Sequence, residues 1–194
     1  QWIINGSKIF ITNASSEITA GITVQAITGV HKDGRKEIST IIVERGTLGL
    51  EAETMHGKMM WRASNTASLY FDNCKVSENS LLGKRGNGSK IMLSTLDSGR
   101  LSIAAMGLGC AQGAYELSVS YAKQRKQFGK VIANFQAISF KLADMAMKLE
   151  LARNLLYKAC WLKDNRKPYG KESAMAKLYC SEIAKEITDD AVQI

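Results

Sequence analysis

Proline is nearly missing from this chain, which has one, Pro168, and histidine is scarce at two, His31 and His56. The one proline falls in Arg166–Gly170, which breaks the helical pattern there. Neither histidine has a Cys or His at ligand distance along the chain, so a zinc site has no support, and neither does Ser/His/Asp hydrolysis. No apolar run approaches the ~20 residues a membrane span requires, which predicts a soluble protein with no membrane partner. The four cysteines, Cys74, Cys110, Cys160 and Cys180, stand singly without metal-ligand spacing, the pattern of reduced thiols in a reducing compartment. No leader is visible. The start reads as a strand and Asp190–Ile194 stop without a helix terminator, so the sequence reads as a segment of a longer polypeptide.

What is present is 45% hydrophobic content over 194 residues, enough for one large or two small cores. The net charge of +8 is unevenly placed: residues 1–80 hold eight basic and eight acidic side chains, so the whole excess lies after them. A phosphate-bearing cofactor, a nucleic acid or a membrane surface would each match that asymmetry.

The first 76 residues read as short antiparallel strands. Asn5-Gly6 before Ser7–Thr12 is a hairpin signal, Ile22–Thr28 and Ile38–Glu44 flank the polar loop His31–Lys36, and Ala67–Phe71 alternates. Gly83–Gly88 reads as a linker. From Ser89 the period turns helical. Leu101, Ala105, Leu108, Ala111, Tyr115, Ser118 and Ala122 form one stripe. Phe135, Ile138, Leu142, Met145, Leu149, Ala152, Leu156 and Ala159 form a second, and Ala176, Cys180, Ile183, Ile187, Ala191 and Ile194 a third. The expected architecture is α+β: an antiparallel, barrel-like β-domain over 1–82 and an antiparallel helical bundle over 83–194, incomplete at its C-terminus.

Three groups of residues carry possible chemistry. Phe10 and Thr12, two apart in a strand, would share a face and could hold a flat heteroaromatic ring, although ordinary strand packing also explains them. Tyr121–Gly129 reads as a helix end with a cationic tip and a glycine stop. Lys123, Arg125, Lys126 and Lys130 suit a solvated helix end, while Arg125 beside Phe128 suits a pyrophosphate and an adenine. Asp97 and Arg100 are a local ion pair or a substrate-contacting pair. Gly86-Asn-Gly88 lacks the spacing of a dinucleotide fingerprint or a P-loop.

Taken in order, Asn5–Asn13, Arg62–Thr66 ahead of Tyr70–Asp72, Leu96–Arg100, Arg125–Gly129, Phe135-Gln136 and Asp190–Ile194 resemble the acyl-CoA dehydrogenase family. The likeness runs through all 194 residues, and Leu162–Pro168 with Lys171–Leu178 is most similar to the short-chain, butyryl-CoA type. The resemblance implies FAD as cofactor, with Phe10 in the place of a flavin-flanking aromatic and Thr12 in that of a hydroxyl near the reactive nitrogen. It places Arg125, Gln127, Phe128, Gln136 and Gln193 near the FAD of a neighbouring subunit, and Asp97 and Arg100 beside the acyl-CoA thioester. It also implies a homo-oligomer, dimer or tetramer, that passes electrons to an electron-transfer flavoprotein, in bacterial cytoplasm or the mitochondrial matrix. The family's reaction needs a carboxylate base. One known position for it is Gly99 here, so no catalytic residue is expected in this segment and the base is expected beyond Ile194. Met60 and Ser77 depart from the usual glycine and proline. An acyl-CoA oxidase-like flavoenzyme and a basic helical nucleic-acid-binding module are the alternatives; no base-reading motif supports the latter, and no nucleic-acid partner is expected.

Overall fold

The computed structural model describes residues 1–194, which divide into two compact units, Gln1–Met92 and Leu93–Ile194. Each is antiparallel where the sequence expects it to be, the first in strands and the second in helices.

In the first unit, strands β1 (Trp2–Thr12), β2 (Gly21–Val30), β3 (Lys36–Glu44), β4 (Leu50–Thr54), β5 (Thr66–Val76) and the two-residue β6 (Leu81–Leu82) form two three-stranded sheets. Their orders are β1-β5-β4 and β2-β3-β6, and every pair is antiparallel. Ala67, Leu69 and Phe71 of β5 alternate into the core with Ile4, Val24, Ile41 and Val43. The alternation then slips by one residue, because Cys74 and Val76 are the next buried pair. Register explains the slip. Ile4 pairs with Cys74 and Gly6 with Phe71, so β5 carries one more residue than β1 across this interval.

That bulge corrects the sequence reading of Asn5-Gly6. The pair does not turn a hairpin; it lies inside a continuous β1. Asn5 Oδ1 accepts the backbone N–H of Asn73 at 2.7 Å, and Asn73 adopts the left-handed φ of 46°. A turn-forming dipeptide opposite a bulge supplies side-chain hydrogen bonding where the ladder is broken.

Gly83–Gly88 is likewise more than a linker, being fastened to the second sheet. Arg85 Nε donates to Glu37 Oε1 at 2.6 Å, and Gly86 N–H donates to Ser39 Oγ at 2.9 Å. At Gly88, a Cβ would lie 2.8 Å from the carbonyl oxygen of Ile38. Of the two departures, Met60 is exposed in a loop, and Ser77 Oγ accepts from Asn79 N–H, capping a short 3-10 turn over Glu78–Ser80.

The second unit holds α1 (Gly88–Gln124) from Leu93 onward, a short hairpin of β7 (Lys126–Gln127) and β8 (Lys130–Val131), α2 (Gln136–Asp164) and α3 (Gly170–Gln193). All five central positions of the α2 stripe, Met145, Leu149, Ala152, Leu156 and Ala159, are buried, as are Ala176, Cys180, Ile183 and Ile187 of α3. On α1 the stripe is as expected except at one place: Ala104 is buried and Ala105 is exposed. Small residues there let the backbones approach, and at Gly107 a Cβ would stand 2.8 Å from the carbonyl oxygen of Cys180. Ion pairs fix α2 against α3: Lys141 with Asp190, Lys148 with Glu186 at 2.7 Å and Lys158 with Glu172 at 3.8 Å. The α3 numbers fall as the α2 numbers rise, the signature of antiparallel neighbours. No helix is long and apolar enough to cross a membrane.

Candidate functional site

The long helix does end within Tyr121–Gly129, as expected, but the residues after it open a hairpin. Helix α1 stops at Gln124, Arg125 N–H still donates to the Tyr121 carbonyl at 2.8 Å, and the Arg125 carbonyl accepts Ile132 N–H at 2.9 Å. Lys126 pairs with Val131 and Gln127 with Lys130, which leaves Phe128 and Gly129 as a two-residue turn. Both have left-handed φ, 51° and 81°. Such a turn matches the twist of the strands and prefers Asn or Gly at its first position. The glycine therefore serves the turn rather than ending a helix, and phenylalanine occupies a place where a bulky side chain is strained.

That strained residue is 91% exposed. Its ring meets Phe135 edge-on, with centroids 6.3 Å apart, and Lys130 Nζ lies 4.3 Å from the Phe135 centroid. Arg125, Gln127 and Gln136 are exposed beside it, and the guanidinium of Arg125 enters none of the chain's ion pairs. Because α2 begins where α3 ends, Gln136 and Gln193 come to the same end of the bundle as the hairpin. Gln193 also borders a cleft of about 580 Å³ with Leu117 and Tyr121 of α1 and Thr188 of α3. The topology thus collects Arg125, Gln127, Phe128, Gln136 and Gln193 at one end: a free cation, an exposed ring and three amides. Lys130 and Phe135 join them through the ring contacts; in the sequence Lys130 stood out only by its charge, and Phe135 as the start of the second helical stripe and of the Phe135-Gln136 motif.

Asp97 and Arg100 lie at the opposite end of the unit. Arg100 Nη1 is 2.6 Å from Asp97 Oδ1, with both side chains about one-third exposed at 39% and 33%. Ser98 Oγ and Tyr169 Oη are 2.9 Å apart, and Asp97 Oδ2 would be 3.3 Å from a Cβ at Gly170, the first residue of α3. The carboxylate therefore sits against a helix N-terminus, where its charge is favourable, and keeps Arg100 in place. Gly99 faces open space and offers no proton-accepting group.

In the first unit, Phe10 and Thr12 are both exposed, near the end of β1. The sequence expectation of a shared pleat face needs correction. Lys8 pairs with Leu69 and Ile11 with Ala67, so β1 has an extra residue here, and Phe10 takes φ 60°. A bulge, rather than strand alternation, aims the ring. Thr12 is back in register opposite Thr66, and Asn13 follows with φ 63°. Two left-handed non-glycine residues flank the threonine, a concentration of backbone strain typical of ligand-facing sites.

Comparison with known proteins bears on the family and the fold. Residues 1–74 match the model of the acyl-CoA dehydrogenase middle domain, and residues 86–194 that of the acyl-CoA dehydrogenase C-terminal domain. The chain is 46% identical over 194 residues to an acyl-CoA dehydrogenase of Bacillus subtilis, covering all of this chain and 50% of that protein. It is 45% identical over 194 residues to the mitochondrial short-chain specific acyl-CoA dehydrogenase of Bos taurus, again covering all of this chain and 46% of the relative. The solved butyryl-CoA dehydrogenase of Megasphaera elsdenii superposes with a TM-score of 0.91 at 44% identity, over 98% of this chain and 49% of that one. The chain spans about half the length of the curated relatives it matches. With the two domain models matched in order over residues 1–74 and 86–194, the chain belongs to the acyl-CoA dehydrogenase family.

Proposed function

We propose that these residues form the middle β-domain (1–82) and most of the helical domain (83–194) of an FAD-dependent dehydrogenase that oxidises a short acyl-CoA to the 2,3-enoyl-CoA. The observation that carries the reading is the hairpin: an unpaired guanidinium and a strained, solvent-facing phenylalanine beside Gln127, Gln136 and Gln193. That donor set fits a dinucleotide. Arg125 would take the diphosphate in a forked, charge-assisted pair, and Phe128 would pack on the adenine. The amides would bond the polar edges of the same half of the cofactor, which belongs to a second copy of the chain.

Phe10 and Thr12 fit the other half, with the ring packing on a flat heterocycle and the hydroxyl bonding its polar edge. When bound, FAD supplies the hydride acceptor for the β carbon of the substrate. Asp97 and Arg100 flank the thioester arm, with Asp97 fixing the guanidinium. The α proton goes to a carboxylate supplied from outside residues 1–194, since position 99 is glycine. Electrons pass to an electron-transfer flavoprotein, and the assembly is a homo-oligomer.

The test is the visible spectrum of a full-length protein containing these residues. A flavin band, acyl-CoA-dependent reduction of an electron acceptor and little hydrogen peroxide are expected. A flavin-free protein would refute the reading, and stoichiometric peroxide would turn it toward an oxidase.

A further inference from the structure

We infer that Tyr169 and Gly170, where the chain turns into α3, are positioning residues: they set how Arg100 meets an acyl-CoA by holding Asp97, a role that rests on the placement of that pair beside the thioester arm. Helix stability alone would choose neither residue. Ser, Thr, Asp or Asn is favoured where a helix starts, yet Tyr169 gives α3 no side-chain cap. Gly170, the first helical residue, is among the weakest helix formers. Local choices that run against propensity mark positions with another task, and what these two residues touch supplies it.

The turn holds Tyr169 in one place. Helix α2 ends in a closed C-terminal motif: Arg166, at φ 55°, donates its N–H to the Lys163 carbonyl at 2.9 Å, and Lys167 N–H donates to that of Leu162 at 2.9 Å. Pro168 follows, its φ fixed by the ring. Tyr169 then packs its ring against the bundle core, accepts Ser173 N–H on its carbonyl at 2.8 Å, and shares a 2.9 Å hydrogen bond between its hydroxyl and Ser98 Oγ of α1. One residue therefore ties the start of α3 to the neighbour of Asp97.

Gly170 sets the other limit. A Cβ there would stand 3.3 Å from Asp97 Oδ2 and 3.7 Å from both Cγ and Oδ1, so any side chain would crowd the whole carboxylate. Oδ1 is the oxygen that accepts from Arg100 Nη1 at 2.6 Å. That bond takes one of the five guanidinium N–H donors, and the others can meet a ligand, since the Arg100 side chain is 39% exposed. A displaced carboxylate carries the guanidinium with it, because a charge-assisted bond this short leaves little slack.

Steady-state kinetics with butyryl-CoA on a flavin-loaded, full-length protein containing these residues test it, alongside thermal unfolding of each variant. Tyr169→Phe keeps the ring and removes the bond to Ser98; Gly170→Ala gives α3 a better helix former and crowds Asp97. Each should raise KM about two- to tenfold with kcat little changed, and Gly170→Ala should do so with an unfolding midpoint that holds or rises. A merely structural role would move KM only where stability falls. In an Arg100→Gln background both substitutions should lose their effect on KM, because no guanidinium is left to aim. An unchanged KM in either single variant, or effects that persist in full without Arg100, would overturn the positioning role. An unchanged KM in Arg100→Gln alone would instead refute the reading of the Asp97–Arg100 pair, and the positioning role with it.

Discussion

Glycines 107 and 109 provide a controlled test of how α1 packs. They lie two residues apart on one helix, roughly 200° around its axis, so they face opposite directions. A Cβ at Gly107 would stand 2.8 Å from the carbonyl oxygen and 3.2 Å from the carbonyl carbon of Cys180, both backbone atoms of α3, while one at Gly109 would meet nothing within 4 Å. Alanine at either position gains up to ~1 kcal/mol of helix propensity. That gain is common to both and cancels in the comparison. What remains is the overpacking at Gly107, about 1–3 kcal/mol, because a backbone cannot rotate aside as a flexible side chain could. The expectation is that Gly107→Ala is less stable than Gly109→Ala by about 1–3 kcal/mol. Urea unfolding followed by helical circular dichroism, with equal m-values, measures the difference. Equal midpoints for the two variants would refute the close approach of α1 to α3.

Three further outcomes are expected. Ile183→Ala, at a position 1% exposed in the bundle core, should cost about 2–5 kcal/mol in the same assay. The Glu37 carboxyl is held below its ordinary value of 4.5, first by the hydrogen bond from Arg85 and then by that from Thr28. A depressed carboxylate stabilises the fold above its unfolded value and loses that contribution as pH falls through its folded value, so Glu37→Gln should flatten the loss of stability below pH 4.5 in acid titrations of the first unit. Burial pushes the thiols of Cys74 and Cys180 up, while Cys110 is exposed. A thiol reagent should therefore label Cys110 quickly in the native chain and reach Cys74 and Cys180 only on unfolding.

Much of the fold was legible because hydrophobic period is a local signal. The α2 stripe lies buried where the spacing placed it, since a 29-residue helix with steps of three and four has one way to bury them. The misreadings share a cause: left-handed backbone at residues other than glycine. Phe10, Asn73 and Phe128 each take positive φ, and each marks a feature the sequence did not announce, two bulges and a hairpin tip. No residue-type pattern signals that a phenylalanine will adopt such a conformation, because neighbouring strands impose it. Strand β4 was missed for a different reason. Leu50-Glu-Ala-Glu-Thr54 has the composition of a helix and becomes a strand only by pairing along β5. The residues of the hairpin end, by contrast, were identifiable singly, yet what gathers them is the antiparallel return of α2 and α3.

The central claim is that the hairpin end of the bundle grips the phosphates of a dinucleotide, and FAD affinity in full-length protein tests it most directly. Arg125→Gln should weaken FAD binding about tenfold to a hundredfold, the loss of a charge-assisted pair. Arg166→Gln removes the same charge from the α2–α3 connection at the other end of the unit and should leave FAD binding unchanged. Equal FAD affinity in the two variants would contradict the account.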